Sequence, residues 1–206
     1  EWATKWRADL AFAADSLPRV HPNFFHSVSR ADYRAALDSL SARLPRMAQH
    51  EIVVELARIL VLVGDGHTRL TLPFDPAARF FTGHSTTAAP RIPGLVFRQY
   101  PIRFGLFADT VWVIRADSAH RDLLGARVVR LGSRSAAEAM AAVAPTIQRD
   151  NQSQVRDLMP TWLVCPEILN ARGVVADMER ATIEVVRADG APVSGVLAPV
   201  PVGTAV

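Results

Sequence analysis

Asp65 and His67 stand two residues apart, across a glycine, in the segment Val-Leu-Val-Gly-Asp-Gly-His-Thr-Arg-Leu-Thr-Leu that runs from Val61 to Leu72. An imidazole titrates near neutral pH and serves as a general base once one ring nitrogen is oriented by a partner. A carboxylate two residues earlier is the right kind of group to orient it. The competing reading is structural: a histidine just past a helix end hydrogen-bonds the carbonyls that the last turn leaves unpaired. The two readings differ in where the ring must point.

A general base needs a nucleophile, and no convincing one is found. No Gly-x-Ser-x-Gly elbow occurs in the chain. The nearest contexts are Gly83-His84-Ser85, in an irregular stretch, and Gly132-Ser133, at an ordinary strand-to-helix turn. A serine–lysine pair needs a lysine buried enough to lose its proton. The single lysine, Lys5, sits beside Trp6 in the first helix and reads as a solvated surface residue. Cys165 is the single cysteine, which excludes an intrachain disulfide and a cysteine zinc site. His21 and His26 flank Pro22-Asn23-Phe24-Phe25, where a five-residue spacing in a loop fixes no common face and brings no third ligand. A turn around Asn23 is expected there rather than a metal centre. His84 reads as solvated. No cofactor and no metal is expected.

The elements that must position Asp65 and His67 come next. Residues 1–17 carry Trp2, Trp6, Leu10, Ala13 and Leu17 at helical spacing, and Pro18 is expected to end that helix. The two tryptophans are expected in the helical core. Ser29-Arg30-Ala31-Asp32 opens a second helix whose stripe is Tyr33, Leu37, Leu40 and Leu44, with Pro45 as its stop. A third helix spans about 49–62; Ile52, Val53, Leu56, Ile59, Leu60 and Val63 give it a wide apolar face, and Gly64 suits its C-terminal turn. Thr68–Leu72 alternates like a strand. Residues 73–94, rich in Pro, Thr, Ala and Gly, read as a long irregular loop and a domain boundary.

Beyond that loop the pattern changes. Ile102–Phe107 and Val111–Arg115 are strand-like, about a turn at Asp109-Thr110. Ala126–Leu131 follows as a strand between Gly125 and Gly132. Ser135-Ala136-Ala137-Glu138 is a capping box that opens a helix reaching about Val143. Residues 152–172 look helical but broken by Pro160 and Pro166, and Thr182–Arg187 is a further strand before an Asp189-Gly190 turn. Arg98, Arg103 and Arg115 read as sheet-edge surface.

Composition sets the outer bounds. The chain has 206 residues, half of them hydrophobic, so it can bury a core and is not disordered. Its net charge of +3 is small, and its arginines are scattered rather than striped with aromatics, which argues against nucleic acid. No apolar run reaches the roughly 18 residues that span a membrane. The chain starts at Glu1 and stops after "PVSGVLAPVPVGTAV", so both ends read as cut and a longer parent protein is expected.

"GARVVRLG", then "SAAEAMAAV", then "ATIEVVRADG" resembles the second half of a circularly shifted PDZ-like domain of the kind found in processing proteases. With "HPNFFHSVSRADY", "HEIVVELARILVLVGDGHT" and "IRFGLFADTVWVIRAD", the chain resembles the N-terminal region of the C-terminal-processing (tail-specific, tricorn-core-like) serine peptidases. The resemblance covers nearly the whole chain, and "LVGDGHT" is its most specific piece. It implies an α+β fold: an N-terminal three-helix bundle (1–72), a linker (73–94), and a PDZ-like small β/α domain (95–206). A helical insert at about 146–178 departs from the family pattern.

The catalytic core, which carries the nucleophilic serine in that family, is expected to be absent from this chain. In the tricorn-like branch a histidine from before the core pairs with that serine, and His67, with Asp65 to orient it, is where the resemblance puts it. The expected partners are a polypeptide substrate and the missing catalytic domain. Backbone near Gly125–Leu131 and the 135–143 helix would line a peptide groove that works by strand addition. The implied setting is secreted, periplasmic or cell envelope. The alternative is a non-catalytic binding module on the same scaffold, holding a peptide or an apolar ligand.

Overall fold

The computed structural model describes residues 2–70, 72, 92, 94–201, 204 and 206. The Gly83-His84-Ser85 context, most of the 73–94 loop, and part of the expected Thr68–Leu72 strand lie outside them.

Helix α1 (Trp2–Val20) buries Leu10 and Ala13. Helix α2 (Arg30–Arg43) starts at Ser29, whose hydroxyl accepts the Asp32 N–H at 3.0 Å. Tyr33, Leu37 and Leu40 recur on one face of α2 and are buried. A 3-10 turn at Leu44–Arg46, with Pro45 inside, closes it. Helix α3 (Gln49–Val61) opens with the Glu51 carboxylate accepting the Ala48 N–H at 2.6 Å. These helices share one apolar cluster, with Tyr33, Leu37, Leu40, Leu44, Ile52 and Ile59 among its members.

Helix α3 is apolar over more than one face. Ile52, Leu56, Ile59 and Val63 look toward α1 and α2, whereas Val53, Val54 and Ala57 belong to a second, larger cluster built on the sheet. The helix is therefore a wall shared by two cores. His50 Nε2 reaches Asn170 Oδ1 at 2.9 Å and fastens the same wall from its polar side.

Among the described residues the sheet has six strands: β1 (Ile102–Phe107), β2 (Thr110–Ala116), β3 (Arg127–Leu131), β4 (Arg134–Ser135), β5 (Ala181–Val186) and β6 (Pro192–Leu197). They run in the order β1-β2-β3-β5-β6, with the short β4 paired to β3, and every pairing is antiparallel. Helix α4 (Ala136–Val143) starts on the capping box, Ser135 and Glu138 each accepting the other's backbone N–H, and packs on β3. The insert holds two helices, α5 (Gln152–Trp162) and α6 (Pro166–Ala171). Helix α5 packs against β1 and α6 against α3. Val155, Leu158, Met159 and Trp162 are the buried face of α5.

Several expectations need correction. Pro18 does not end α1, which runs on to Val20. Pro160 lies within the last turns of α5 rather than breaking it. Pro166 does begin a new helix at its first turn, where a missing N–H costs nothing. Thr68–Leu70 is not in strand conformation, and Leu72 is likewise outside any strand among the described residues. The turn between β1 and β2 is Ala108-Asp109, both at positive φ (45° and 63°), one residue earlier than expected. Strand β6 was not anticipated; Gly195 and Pro192 mask its alternation.

Trp2 is 40% exposed rather than core, and only Trp6 packs against the clusters. Arg98 is no surface arginine. Its guanidinium lies 2.9 Å from the buried Glu167 carboxylate and 2.7 Å from Glu179. Most consequential, β3 is paired along one side by β5 and on the other by β2 at Arg127 and β4 at Arg130–Leu131, which leaves little of its edge for strand addition. The sheet's outer strands are β1 and β6.

The shared wall sets a stability test. Ile59→Ala deletes a fully buried side chain and is expected to cost about 2–5 kcal/mol. Arg34→Ala, which breaks the exposed Arg34–Asp15 pair, is expected to cost about 1 kcal/mol or less. Urea unfolding midpoints of the two variants measure the contrast, and equal midpoints would contradict this packing.

Candidate active site

The corner that carries His67 follows directly from the end of α3. Gly64 takes a left-handed φ of 74°, which turns the chain out of the helix. It also lies so close to the α1–α2 connection that a Cβ there would be 2.6 Å from the Ser27 hydroxyl. That approach brings the loop containing His21 against Asp65.

Asp65 then organises the turn. Its Oδ1 accepts the His67 backbone N–H at 2.8 Å, the short-range pattern by which aspartate closes a turn on its own chain. The same oxygen lies 3.3 Å from His67 Nδ1. Oδ2 accepts from His21 Nε2 at 2.8 Å and from the Thr68 hydroxyl at 3.1 Å. These bonds, the His67 N–H first and the His21 ring next, hold the Asp65 carboxyl well below the usual carboxylate range.

The partners fix the ring protons. His21 Nδ1 accepts the Asn23 N–H at 3.1 Å, so its proton is on Nε2, where it is donated to Asp65. His67 Nδ1 faces a carboxylate oxygen, so Nδ1 carries the proton and Nε2 presents its lone pair outward. The His67 side chain is 90% exposed, and among the described residues Nε2 has no hydrogen-bond partner. The ring is not turned back onto the α3 carbonyls; Gly64 N–H and Val63 N–H close that helix end instead. In its neutral form the ring is thus held at Nδ1 and open at Nε2.

A third side chain meets the corner from the insert. Asp150 Oδ1 accepts the Gly66 N–H at 2.7 Å. Asp65, His67 and Asp150 bring donor atoms within 4.8 Å of one another, a set whose types could take a divalent cation. Both carboxylates are already engaged by N–H and O–H donors, so the hydrogen-bonded corner accounts for the geometry without an ion. His26 stacks beside His21 with ring centroids 6.3 Å apart, and its Nδ1 donates to the Asn23 carbonyl at 2.8 Å. The turn around Asn23 therefore forms, with both histidines hydrogen-bonded into it.

Ser85 lies outside the described residues, and Ser133 and Cys165 are engaged elsewhere. Ser133 bonds the Val174 carbonyl at 3.3 Å. Cys165 is fully buried, and burial pushes its thiol well up, away from the reactive thiolate. Lys5 is exposed on α1. Sequence reasoning found Asp65 and His67 but missed the partnership of His21 and Asp150 with them. His21 lies 44 residues from Asp65 and Asp150 lies 84 from Gly66, so no local pattern marks either.

No protein-family model and no curated protein matches the chain. Solved structures do. The crystal structure of mature CPAF, a chlamydial serine protease, aligns over 98% of this chain and 36% of its own, with a TM-score of 0.61 at 13% identity. Mature CPAF complexed with lactacystin gives 0.61 at 12% identity, over the same shares. A serine-to-alanine mutant of CPAF gives 0.59 at 12%, covering 35% of that chain. At such identities the likeness is one of fold. The chain has the mixed helix and antiparallel-sheet fold of a region of CPAF, and it spans little more than a third of those chains.

Asp65 predicts a pH signature. Its carboxyl is depressed in the folded chain, so its bonds contribute fully above about pH 3.9, the unfolded value. As pH falls below that, the unfolded chain takes up a proton that the folded corner resists, and the contribution fades. The stability difference between wild type and Asp65→Asn is expected to shrink as pH falls from about 4 toward about 2. Denaturant unfolding along that series measures it; a difference that does not change with pH contradicts the assignment.

Proposed function

We propose that this chain is the N-terminal helical and PDZ-like portion of a serine-type peptidase. In this reading it recognises and positions polypeptide substrate for a catalytic domain that lies elsewhere in a longer parent protein, in a secreted or envelope setting. His67 completes the active site from outside that domain. The observation that carries the reading is the exposed His67 ring, with Nδ1 against the Asp65 carboxylate and Nε2 without a partner among the described residues.

The chemistry is that of nucleophilic serine catalysis. Nε2 takes the hydroxyl proton of the serine as its oxygen attacks the substrate carbonyl, and returns that proton to the leaving amine. Asp65 keeps the proton of the neutral ring on Nδ1 and stabilises the imidazolium formed after transfer. Alone, this chain hydrolyses nothing. Fold likeness to CPAF supports the peptidase setting, and the sequence resemblance supports the PDZ-like role. Strand addition by a peptide would use an outer strand, β1 or β6, rather than β3.

The alternative, a binding module for an apolar ligand, finds less support. The apolar space lined by Phe104, Val111, Val128, Leu131, Ala139 and Leu163 among others has a cavity volume of only about 10 Å³, roughly one water molecule. Small-molecule sites run to roughly 300–1,000 Å³.

On the full-length parent, a serine-reactive phosphonate probe is expected to label the wild type. The His67→Ala variant is expected to label at least about a hundredfold more slowly, the range for loss of a general base. Undiminished labelling in the variant would remove His67 from the mechanism.

A further inference from the structure

Asp65 orients the His67 ring, but the peptide that joins them is held from outside the turn. The Gly66 N–H donates to Asp150 Oδ1 at 2.7 Å. Asp150 belongs to the insert and sits just before α5. Its own N–H is taken by Gln154 Oε1 at 2.8 Å, and the Gln154 N–H donates to Asn151 Oδ1 at 3.0 Å, the N-cap of that helix. The acceptor for Gly66 is thus built into the first turn of a helix whose other face lies in the sheet-side core. The approach is close: a Cβ on Gly66 would lie 2.7 Å from Asp150 Oδ2 and 3.0 Å from Gln154 Oε1. A Cβ there would have to push the Asp150 or Gln154 side chain aside.

The consequence concerns His67. Asp65 Oδ1 receives both the His67 backbone N–H and the ring Nδ1. Rotation of the chain at Gly66 would swing both away together. The Gly66–Asp150 bond opposes that rotation from the far side, while His21 fixes Asp65 on the near side.

We propose that Asp150 is a positioning residue for His67, through which the helical insert sets the orientation of the ring. The inference rests on the reading of His67 as a base and adds what holds that base in register. It gives the insert a role at this corner. A displacement of α5 from β1 would loosen the corner, so the insert couples the sheet half of the chain to the ring.

The test uses this chain, with Asp150→Ala and Asp150→Asn. Asparagine keeps a carbonyl acceptor for the Gly66 N–H; alanine does not. Two readouts apply: hydrogen exchange at the Gly66 amide, and the His67 tautomer, read from ring-nitrogen chemical shifts above pH 8. Asp150→Ala is expected to lose roughly tenfold of the Gly66 protection. It is also expected to move His67 from the Nδ1–H form to a mixture of tautomers. Asp150→Asn is expected to keep the Nδ1–H form and most of the protection. An unchanged Gly66 amide and an unchanged tautomer in Asp150→Ala would overturn the proposal. So would an asparagine variant that behaves like alanine. If α5 itself loses protection in the alanine variant, the asparagine variant decides alone: a retained tautomer supports the role and a lost one refutes it. Neither readout needs a serine, so failure here is separable from failure of the labelling experiment.

Discussion

The carboxylate of Asp65 is the interaction on which this structure turns. One small side chain accepts from its own turn at the His67 N–H, from a ring two residues on, from the Thr68 hydroxyl and from His21 on another element. Each bond uses the negative charge, and charge-assisted bonds are shorter and stronger than neutral ones. The effect is more than stability. Because His21 Nδ1 is occupied by the Asn23 N–H, the ring donates through Nε2. Because His67 faces the same carboxylate through Nδ1, its other nitrogen is left as a base. A single acceptor thus fixes two tautomers, and one of them is presented outward.

The rest of the chain makes that corner possible. Helix α3 buries residues in both cores, so its C-terminal end, where Gly64 turns the chain, is fixed by packing on two sides. The α1–α2 connection reaches the corner because Phe24 is buried in the helical cluster, stacking edge-on with Tyr33 at 4.9 Å between centroids. From the opposite side, α5 is anchored on β1 and carries Asp150 on its leading end. Arg156, on the same helix, pairs with Asp109 in the β1–β2 turn. The likeness to part of CPAF fits this arrangement as a fold, and the proposed chemistry stands on the corner itself.

Much of the fold was legible in the sequence because local signals agreed with tertiary packing. The Tyr33, Leu37 and Leu40 spacing of α2, the Ser135–Glu138 box of α4 and the alternation of Ile102–Phe107 each specify an element without help from distant residues. Failures had local causes. Thr68–Leu70 alternates, yet it follows a turn whose bonding is directed at Asp65 and does not adopt strand conformation. Strand β6 was hidden by a proline and a glycine, and it forms because β5 supplies the pairing. Pro18 and Pro160 were read as stops, whereas both fall in late turns that packing carries through. Asp65 and His67 were visible as candidates because glycines and a helix end frame them. His21 and Asp150 were invisible as their partners, since side-chain contacts across 44 and 84 residues leave no periodicity to read.

The central claim is that the His67 imidazole is held outward with a bare nitrogen while His21, close by, is closed off at both nitrogens. Carbethoxylation of the six histidines at neutral pH, followed residue by residue by mass spectrometry, tests it directly. The account predicts that His67 reacts among the fastest and His21 among the slowest, and that Asp65→Ala makes His21 reactive. A His67 that reacts as slowly as His21 in the wild type would contradict it.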